Sequence, residues 1–478
     1  MQRSIRASVR QLRPPRWWVG PLALATTMTA VPAALLTPHV ASAAATSVEA
    51  THFMEAYQAA LANDPVFRAA AFERDAGREE RALGRSALLP TLSANYGKNR
   101  NRADLDTLTP LGLASEERRY DSESGSVQLR QPLIDIEAIG RARRGAALAE
   151  SSEARFESAR HELMLRVFTL YAEANQAQAE LALATAQRDA LAQQRDGNRR
   201  LLASGEGTVT DTLETQAQLD LAEAELIAAQ DRVEAAREAL AIAIGREVVS
   251  LAPLREDFRP ETLAVAPLPE LLSGIDRHSP AVTAQRFELA AAGHEATRAR
   301  AARLPRVELV ASLYRADSDT LSTFQQESMT TAVGLQVTVP LYSGGALAAT
   351  VRQAVAGRNR AAAVLEATSQ ETRVALRQHY NAVVSGRSRI AALQVSLDSA
   401  RLLIDATERS ATAGARTNLD VLQARSQWFQ VRRDLSLARF QYLIAYLELR
   451  RAAGLLDESD LRLVAQQFQG TSAPGGAG

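Results

Sequence analysis

The 478-residue sequence contains no cysteine. That excludes disulfides, thiolate metal sites, a catalytic thiol and acylation of an N-terminal cysteine. Aromatic residues are scarce, at 5%. Much of the 46% apolar content is alanine, which favours thin, close helix contacts over a thick globular core. Charge of one sign is also lacking, with 55 basic against 55 acidic residues. Without a basic patch there is no electrostatic footprint for nucleic acid. Beyond the N-terminal region no stretch reaches the roughly 18 uninterrupted apolar residues of a transmembrane helix. If the mature chain enters a membrane, it must do so as a barrel. The six histidines form no HExxH or other close metal pair, and no GxSxG, P-loop or GxGxxG occurs. The sequence therefore predicts no enzyme, no cofactor and no metal.

What is present begins with a targeting pattern. Arg3, Arg6, Arg10, Arg13 and Arg16 precede an apolar run from about Trp17 to Leu36. Ala41-Ser42-Ala43 then offers a small-x-small cleavage site, so residues 1–43 read as a secretory signal peptide. Pro21 and Pro32 break the run and argue against a permanent anchor. Removing this segment takes five arginines and no acid, and the formal charge falls from 0 to 50 − 55 = −5.

The remainder is a duplication. Pro65 and Pro90 match Pro280 and Pro305 at one offset, and Gln131-Pro132-Leu133 matches Val339-Pro340-Leu341. Tyr171, Gly205, Thr208, Asp211, Leu213 and Gly245 match Tyr380, Gly414, Thr417, Asp420, Leu422 and Gly454 at a common offset of 209. Leu219, Leu226, Val233 and Leu240 recur every seven residues, with Ala222, Ala229, Ala236 and Ala243 as companions. Trp428, Leu435, Tyr442 and Leu449 repeat that register. Such spacing makes tightly packed coiled coils. Residues 136–203 read as one helix, which at about 1.5 Å per residue spans on the order of 100 Å.

Each half also carries two segments of period two. Leu92, Ala94 and Tyr96 form one, and Val127, Leu129 and Leu133 another. The second half has Val307, Leu309, Ala311 and Leu313, then Val333, Leu335, Val337, Val339 and Leu341. Polar segments, about 98–124 and 315–330, join each pair as loops. Strand, polar loop, strand reads as a membrane hairpin. Four strands cannot close a barrel in lipid, so the barrel must be shared between chains. Two chains would give eight strands and three would give twelve. Tyr96 and Tyr314 are candidates for an interfacial aromatic girdle. Gly344 and Gly345 let the chain leave the last strand and turn into a helix. Pro132 and Pro340, with Pro90 and Pro305, mark joints where a missing N–H costs little.

Ala413-Gly414-Ala415-Arg416-Thr417-Asn418-Leu419-Asp420-Val421-Leu422 is similar to the hallmark run of the TolC family. Val339-Pro340-Leu341-Tyr342-Ser343-Gly344-Gly345, Ala438-Arg439-Phe440-Gln441-Tyr442-Leu443 and Leu251-Ala252-Pro253-Leu254-Arg255-Glu256-Asp257-Phe258 also resemble it, so the likeness covers about residues 48–465. The resemblance implies a mixed α/β, mainly α fold: a long coiled-coil helical barrel continuous with a transmembrane β-barrel of four strands per chain, twelve in a homotrimer. It implies an outer-membrane channel-tunnel of a Gram-negative bacterium, set in outer-membrane lipid and reaching into the periplasm. Its partners would be a periplasmic adaptor and an inner-membrane transporter of the ABC or RND type. It would serve multidrug efflux, type I protein secretion or both. The missing lipidation cysteine favours TolC-type members over lipidated ducts.

The layout expected is signal peptide 1–43, first repeat 44–245 with strands at about 91–97 and 125–133, and a Pro-rich connector 246–272. The second repeat follows at 273–454 with strands at about 306–314 and 331–341, then a tail 455–478 with a flexible end. Asp420 matches an aspartate that lines the closed periplasmic entrance, and the family's second acidic position is Gln423 here. Arg416 matches an arginine that ties neighbouring coiled coils through partners matching Thr210 and Asp211. On residue type alone Asp211 and Asp420 read as helix caps, and Gly205 and Gly414 as turn glycines. The rival reading is a periplasmic coiled-coil adaptor (membrane fusion) protein, which carries one hairpin between compact β domains rather than two matched halves.

Overall fold

The computed structural model describes residues 51–110, 112–318 and 326–469, all within one compact unit, Val48–Gly478. The expected signal peptide and the Gly-rich end from residue 470 lie outside the described residues. The element order is α1 (Phe53–Asn63), α2 (Pro65–Ser86), β1 (Thr91–Thr109), β2 (Gly112–Ile134), α3 (Ile136–Ser204), α4 (Val209–Ile244), α5 (Leu268–His278), α6 (Pro280–Ala301), β3 (Arg306–Ser318), β4 (Gln326–Thr338), α7 (Ala346–Thr412), α8 (Asn418–Ala452) and α9 (Glu458–Ala465).

The two halves fold alike because their joints are alike. Asp64 caps α2 and accepts from the Phe67 amide at 2.7 Å, with Pro65 in the first turn. Ser279 and Pro280 do the same for α6, the Val282 amide donating to the Ser279 hydroxyl at 3.4 Å. The long helices α3 and α7 have 69 and 67 residues. No proline interrupts either one. Each packs its first part against a short helix, α2 or α6, and its last part against a partner running back, α4 or α8. Alanine and glycine set the spacing. A Cβ added at Gly145 of α3 would lie 2.2 Å from the Glu80 carbonyl oxygen of α2.

Most of the heptad seam positions are buried, while Leu226, Ala236 and Ala452 are half-buried. Leu219, Ala222, Ala229, Val233 and Leu240 are buried in the first half, and Val431, Leu435, Ala438, Tyr442, Ala445 and Leu449 in the second. Trp428 is only half-buried and meets the Phe429 ring edge-on at 4.8 Å. The few aromatics concentrate midway along the molecule. Phe53 stacks edge-on against Phe168 at 5.1 Å, and Phe468 against Tyr171 at 5.2 Å. Two of the buried hydroxyls find carbonyls: Tyr442 donates to Pro260 O at 2.9 Å, and Tyr171 to Thr51 O at 3.3 Å.

Two boundaries between domains differ from the sequence expectation. The connector ends at Pro267, because Pro267 and Pro269 sit at the start of α5, where a missing N–H is harmless. Residues 455–469 are not a tail. Asp457 and Asp460 form a capping box for α9, and Leu461, Val464, Ala465 and Phe468 lie on one buried face at helical spacing.

The four strands form one antiparallel sheet in the order β1-β2-β3-β4. The polar stretch 98–124 is not a loop: the ladder runs on from Lys98↔Glu123 to Thr109↔Gly112. Opposed charges support it, with Lys98 paired to Glu123, Arg100 to Asp121 at 3.1 Å and Arg102 to Glu117 at 3.0 Å. Polarity there marks departure from an apolar surrounding, not the end of the strand. Likewise β3 continues to Ser318 and β4 begins at Gln326; β4 ends at Thr338, short of the expected 341, because Pro340 cannot donate to the ladder and Val339 and Leu341 fall outside it. Since β2 pairs with β3 only as far as Ser122, the outer part of the β1–β2 hairpin stands as two strands.

Residues directly opposite in the register share a face. One face carries Leu92, Ala94, Val127, Leu129, Leu309, Ala311, Leu313, Val333 and Leu335. The other carries Ser93, Asn95, Ser126, Gln128, Ser312, Thr330 and Gln336. Tyr96 belongs to the apolar face. Tyr314 opposes Ser126 and Thr330 on the polar face, so it leaves the expected girdle. No helix among the described residues is long and apolar enough to cross a membrane. We expect Leu335→Arg to cost about 2–4 kcal/mol, the penalty of a lipid-facing charge near the midplane of a barrel. Gln336→Arg, one residue along and facing inward, should be tolerated. Recovery of heat-resistant oligomer from outer membranes reads the difference.

Candidate functional site

The candidate site is the end of the molecule farthest from the sheet, where α3 turns into α4 and α7 into α8. The two turns are replicas. Gly205 and Gly414 close their helices at φ of 79° and 74°, a left-handed conformation that costs glycine little. Thr208 then caps α4, its hydroxyl accepting from the Asp211 amide at 3.1 Å and donating to the Asp211 carboxylate at 2.6 Å. Thr417 caps α8 in the same way. The Asp420 amide donates to its hydroxyl at 3.3 Å, and the Thr417 amide and hydroxyl both donate to the Asp420 carboxylate at 2.9 Å. The cap residues are therefore Thr208 and Thr417; Asp420 completes a capping box by accepting from the Thr417 amide, and the Asp211 carboxylate accepts from the Thr208 hydroxyl.

Arg416 reaches Asp420 at 3.5 Å, with the arginine side chain 60% exposed. Among the described residues no hydrogen bond or ion pair joins Arg416 to Asp211 or Thr210 within the chain. Thr210 is exposed on the first turn of α4. The Thr417 amide and hydroxyl, then the Arg416 guanidinium, hold the Asp420 carboxyl below the ordinary aspartate range. Gln423 lies one turn on, in a groove of about 360 Å³ between α4 and α8 that Gln218, Leu419, Leu422 and Gln427 also line.

Sequence reasoning missed a polar junction just behind the turns. Asn418 of α8 accepts from Gln194 of α3 at 3.1 Å and from Asn198 at 3.2 Å. Its amide group donates to Thr215 Oγ1 at 3.2 Å and to Asp211 O at 3.4 Å. Asn198 also donates to Thr215 Oγ1 at 2.8 Å. Arg425 bonds Glu408 of α7 at 2.6 and 2.9 Å and Gln194 at 3.2 Å. The signal was available: Asn198 stands one heptad after the buried Leu191, where an apolar residue is due.

At the opposite end, Gly344 and Gly345 have φ of 62° and 87° between Pro340 and α7. The register between β2 and β3 shifts between Pro132 and Ile134, which places Pro132 at an irregularity of the ladder.

Comparison with known proteins follows the same outline. Residues 56–246 and 271–455, the two halves, match the family model "Outer membrane efflux protein". The alkaline protease secretion protein AprF of Pseudomonas aeruginosa is 40% identical over 423 residues, 88% of each chain. The proteases secretion protein PrtF of Dickeya chrysanthemi is 38% identical over 444 residues, 92% of this chain and 96% of that one. The crystal structure of the outer membrane protein VceC from Vibrio cholerae shares the fold, with a TM-score of 0.72 at 18% identity over 84% of this chain and 96% of that one. Nothing in these relatives favours an adaptor. Channels of this kind have no catalysis of their own and work as trimers with periplasmic adaptors and inner-membrane ABC or RND transporters. An open-edged four-stranded sheet, two matched helical hairpins and these relatives agree: the chain belongs to the outer membrane efflux protein family and is a TolC-like channel of the Gram-negative outer membrane that extends into the periplasm.

Proposed function

We propose that this channel serves type I secretion and passes a protein cargo, a protease, from an inner-membrane transporter to the exterior. The observation that carries this reading is the near-full-length 38–40% identity to two protease secretion proteins, against 27% to the TolC of Vibrio cholerae. The test is replacement of AprF by this chain in a cell that keeps the cognate transporter, adaptor and protease. Extracellular protease should return. Restored drug resistance without protease export would assign the channel to efflux instead.

The periplasmic tip is the gate in this reading. Three Asp420 carboxylates around the axis form an acidic ring that selects cations. With glutamine at 423 the ring carries one carboxylate per chain where the family has two, so block by divalent cations is weak. Arg416 holds the tip shut by reaching Asp211 and Thr210 of a neighbouring hairpin. Partly exposed pairs of that kind are worth roughly 0–1 kcal/mol each, which suits a latch that must break.

Two outcomes follow in planar bilayers. Arg416→Ser and Asp211→Ala should each raise single-channel conductance, and unchanged conductance in both would end the latch. Asp420→Asn, which keeps a capping side chain, should lower the cation preference read from reversal potentials. The Asp420 pKa is depressed in the folded state, so its charge is present above that pKa and lost as pH falls through it. The wild-type cation preference should therefore fade as pH falls through the Asp420 pKa.

A further inference from the structure

Resting on the gating reading, we infer that Asn418 is a water-exchangeable pin that fastens α8 to the α3–α4 hairpin of its own chain, and that releasing it is part of opening the tip. The seam between these helices changes character over two turns. Leu191, Leu219, Ala222 and Leu422 form a small apolar cluster. Immediately below, toward the turns, the seam positions become Asn198 and Thr215, 7% and 0% exposed. Buried amides and hydroxyls are costly unless their hydrogen bonds are made. Asn198 donates to Thr215 Oγ1 and to Asp211 O, and Thr215 donates to Asp211 O. Asn418 ties α8 to this pair, its oxygen accepting from Asn198 and its nitrogen donating to Thr215 Oγ1 and Asp211 O. Through Gln194 and the Arg425–Glu408 pair the same network reaches α7, so one set of hydrogen bonds touches all four tip helices.

The internal repeat shows that this arrangement is not generic to the turn. At the offset of 209, Asn418 corresponds to Val209, which is exposed. Thr215 corresponds to Ala424, and Asn198 to Thr407, whose hydroxyl bonds its own helix at Leu403 O. Of these matched positions only Asn198 is a buried amide, the buried Thr407 hydroxyl stays on its own helix, and only the second hairpin carries an asparagine that reaches across to the other. The two hairpins have diverged into a socket and a plug.

Polarity is what makes the contact separable. Parting an apolar seam exposes hydrocarbon to water with nothing in return. Parting amides lets water take over each hydrogen bond, so the net difference is small. A groove between α4 and α8, lined by Gln218, Gln423 and Gln427, begins at Leu419, the residue after the pin. The apolar cluster above stays closed and acts as the pivot.

The experiment pairs a loosening variant with a tightening one in the full-length protein. Asn418→Val installs the repeat counterpart and removes the pin. Asn198→Leu/Thr215→Val/Asn418→Leu replaces the whole junction with hydrocarbon. Both are purified as heat-resistant oligomers and read by single-channel conductance and by protease export. Asn418→Val should raise conductance several-fold with the thermal stability of the oligomer unchanged. The triple variant should hold conductance at or below the wild-type closed level and reduce export. Equal conductance in all three proteins would overturn the pin and leave the channel reading standing. Increased conductance in both variants, with lost heat resistance, would overturn it in favour of a purely structural junction. A wild-type oligomer that inserts no pore would overturn the channel reading and the pin together.

Discussion

A sheet in lipid cannot leave backbone donors and acceptors unpaired, and this chain supplies only four strands. β1 and β4 are both edges in the single chain, and the strongly exposed side chains of Val333, Leu335 and Val337 lie along one of them. Neighbouring copies must cover those edges. An even number of antiparallel strands lets β4 meet the next β1 in antiparallel sense, so closure needs no special strand. The helices inherit this geometry, because each strand pair is fastened at both ends to a helix of the same repeat.

Rigidity and mobility are then distributed along the length. The midsection concentrates the scarce aromatics, and α9 with Phe468 seals them against Phe168 and Tyr171. Asp460, almost fully buried, is held there by Arg450 at 2.9 Å. Removing one partner of such a pair would strand a charge in the interior. The periplasmic end has no comparable core. It is closed by caps, exposed ion pairs and amides, each individually weak. A structure built to be anchored at its middle and yielding at one end needs this gradient.

Most of the architecture was legible in the sequence because its signals are periodic. The 209-residue offset gave the duplication, heptads gave the seams, and alternation in 331–341 gave the outward face. Three things were not legible, each for a physical reason. Charged residues at 98–124 masked a ladder, since cross-strand ion pairs support strands as well as apolar pairs do. Proline at 267 and 269 looked like a breaker, yet proline at a helix start is compatible with the helix. Phe468 sits beyond a capping box whose short helix is too brief to show its period. At the tip, residue types showed that Asp211 and Asp420 could cap. The Asn198–Thr215–Asn418 junction required three helices to be brought together, which no local pattern reports.

The replica turns have a consequence for symmetry. If the two hairpins of each chain were identical, a trimer would present six equivalent ends to whatever approaches it from the periplasm. Gly207 and Val209 on one turn, against Arg416 and Asn418 on the other, break that equivalence while leaving the backbone the same. The tip therefore has sixfold shape and threefold chemistry. A ring of six identical partners docking there would experience two alternating environments, and its subunits would have to bind in two ways or in pairs.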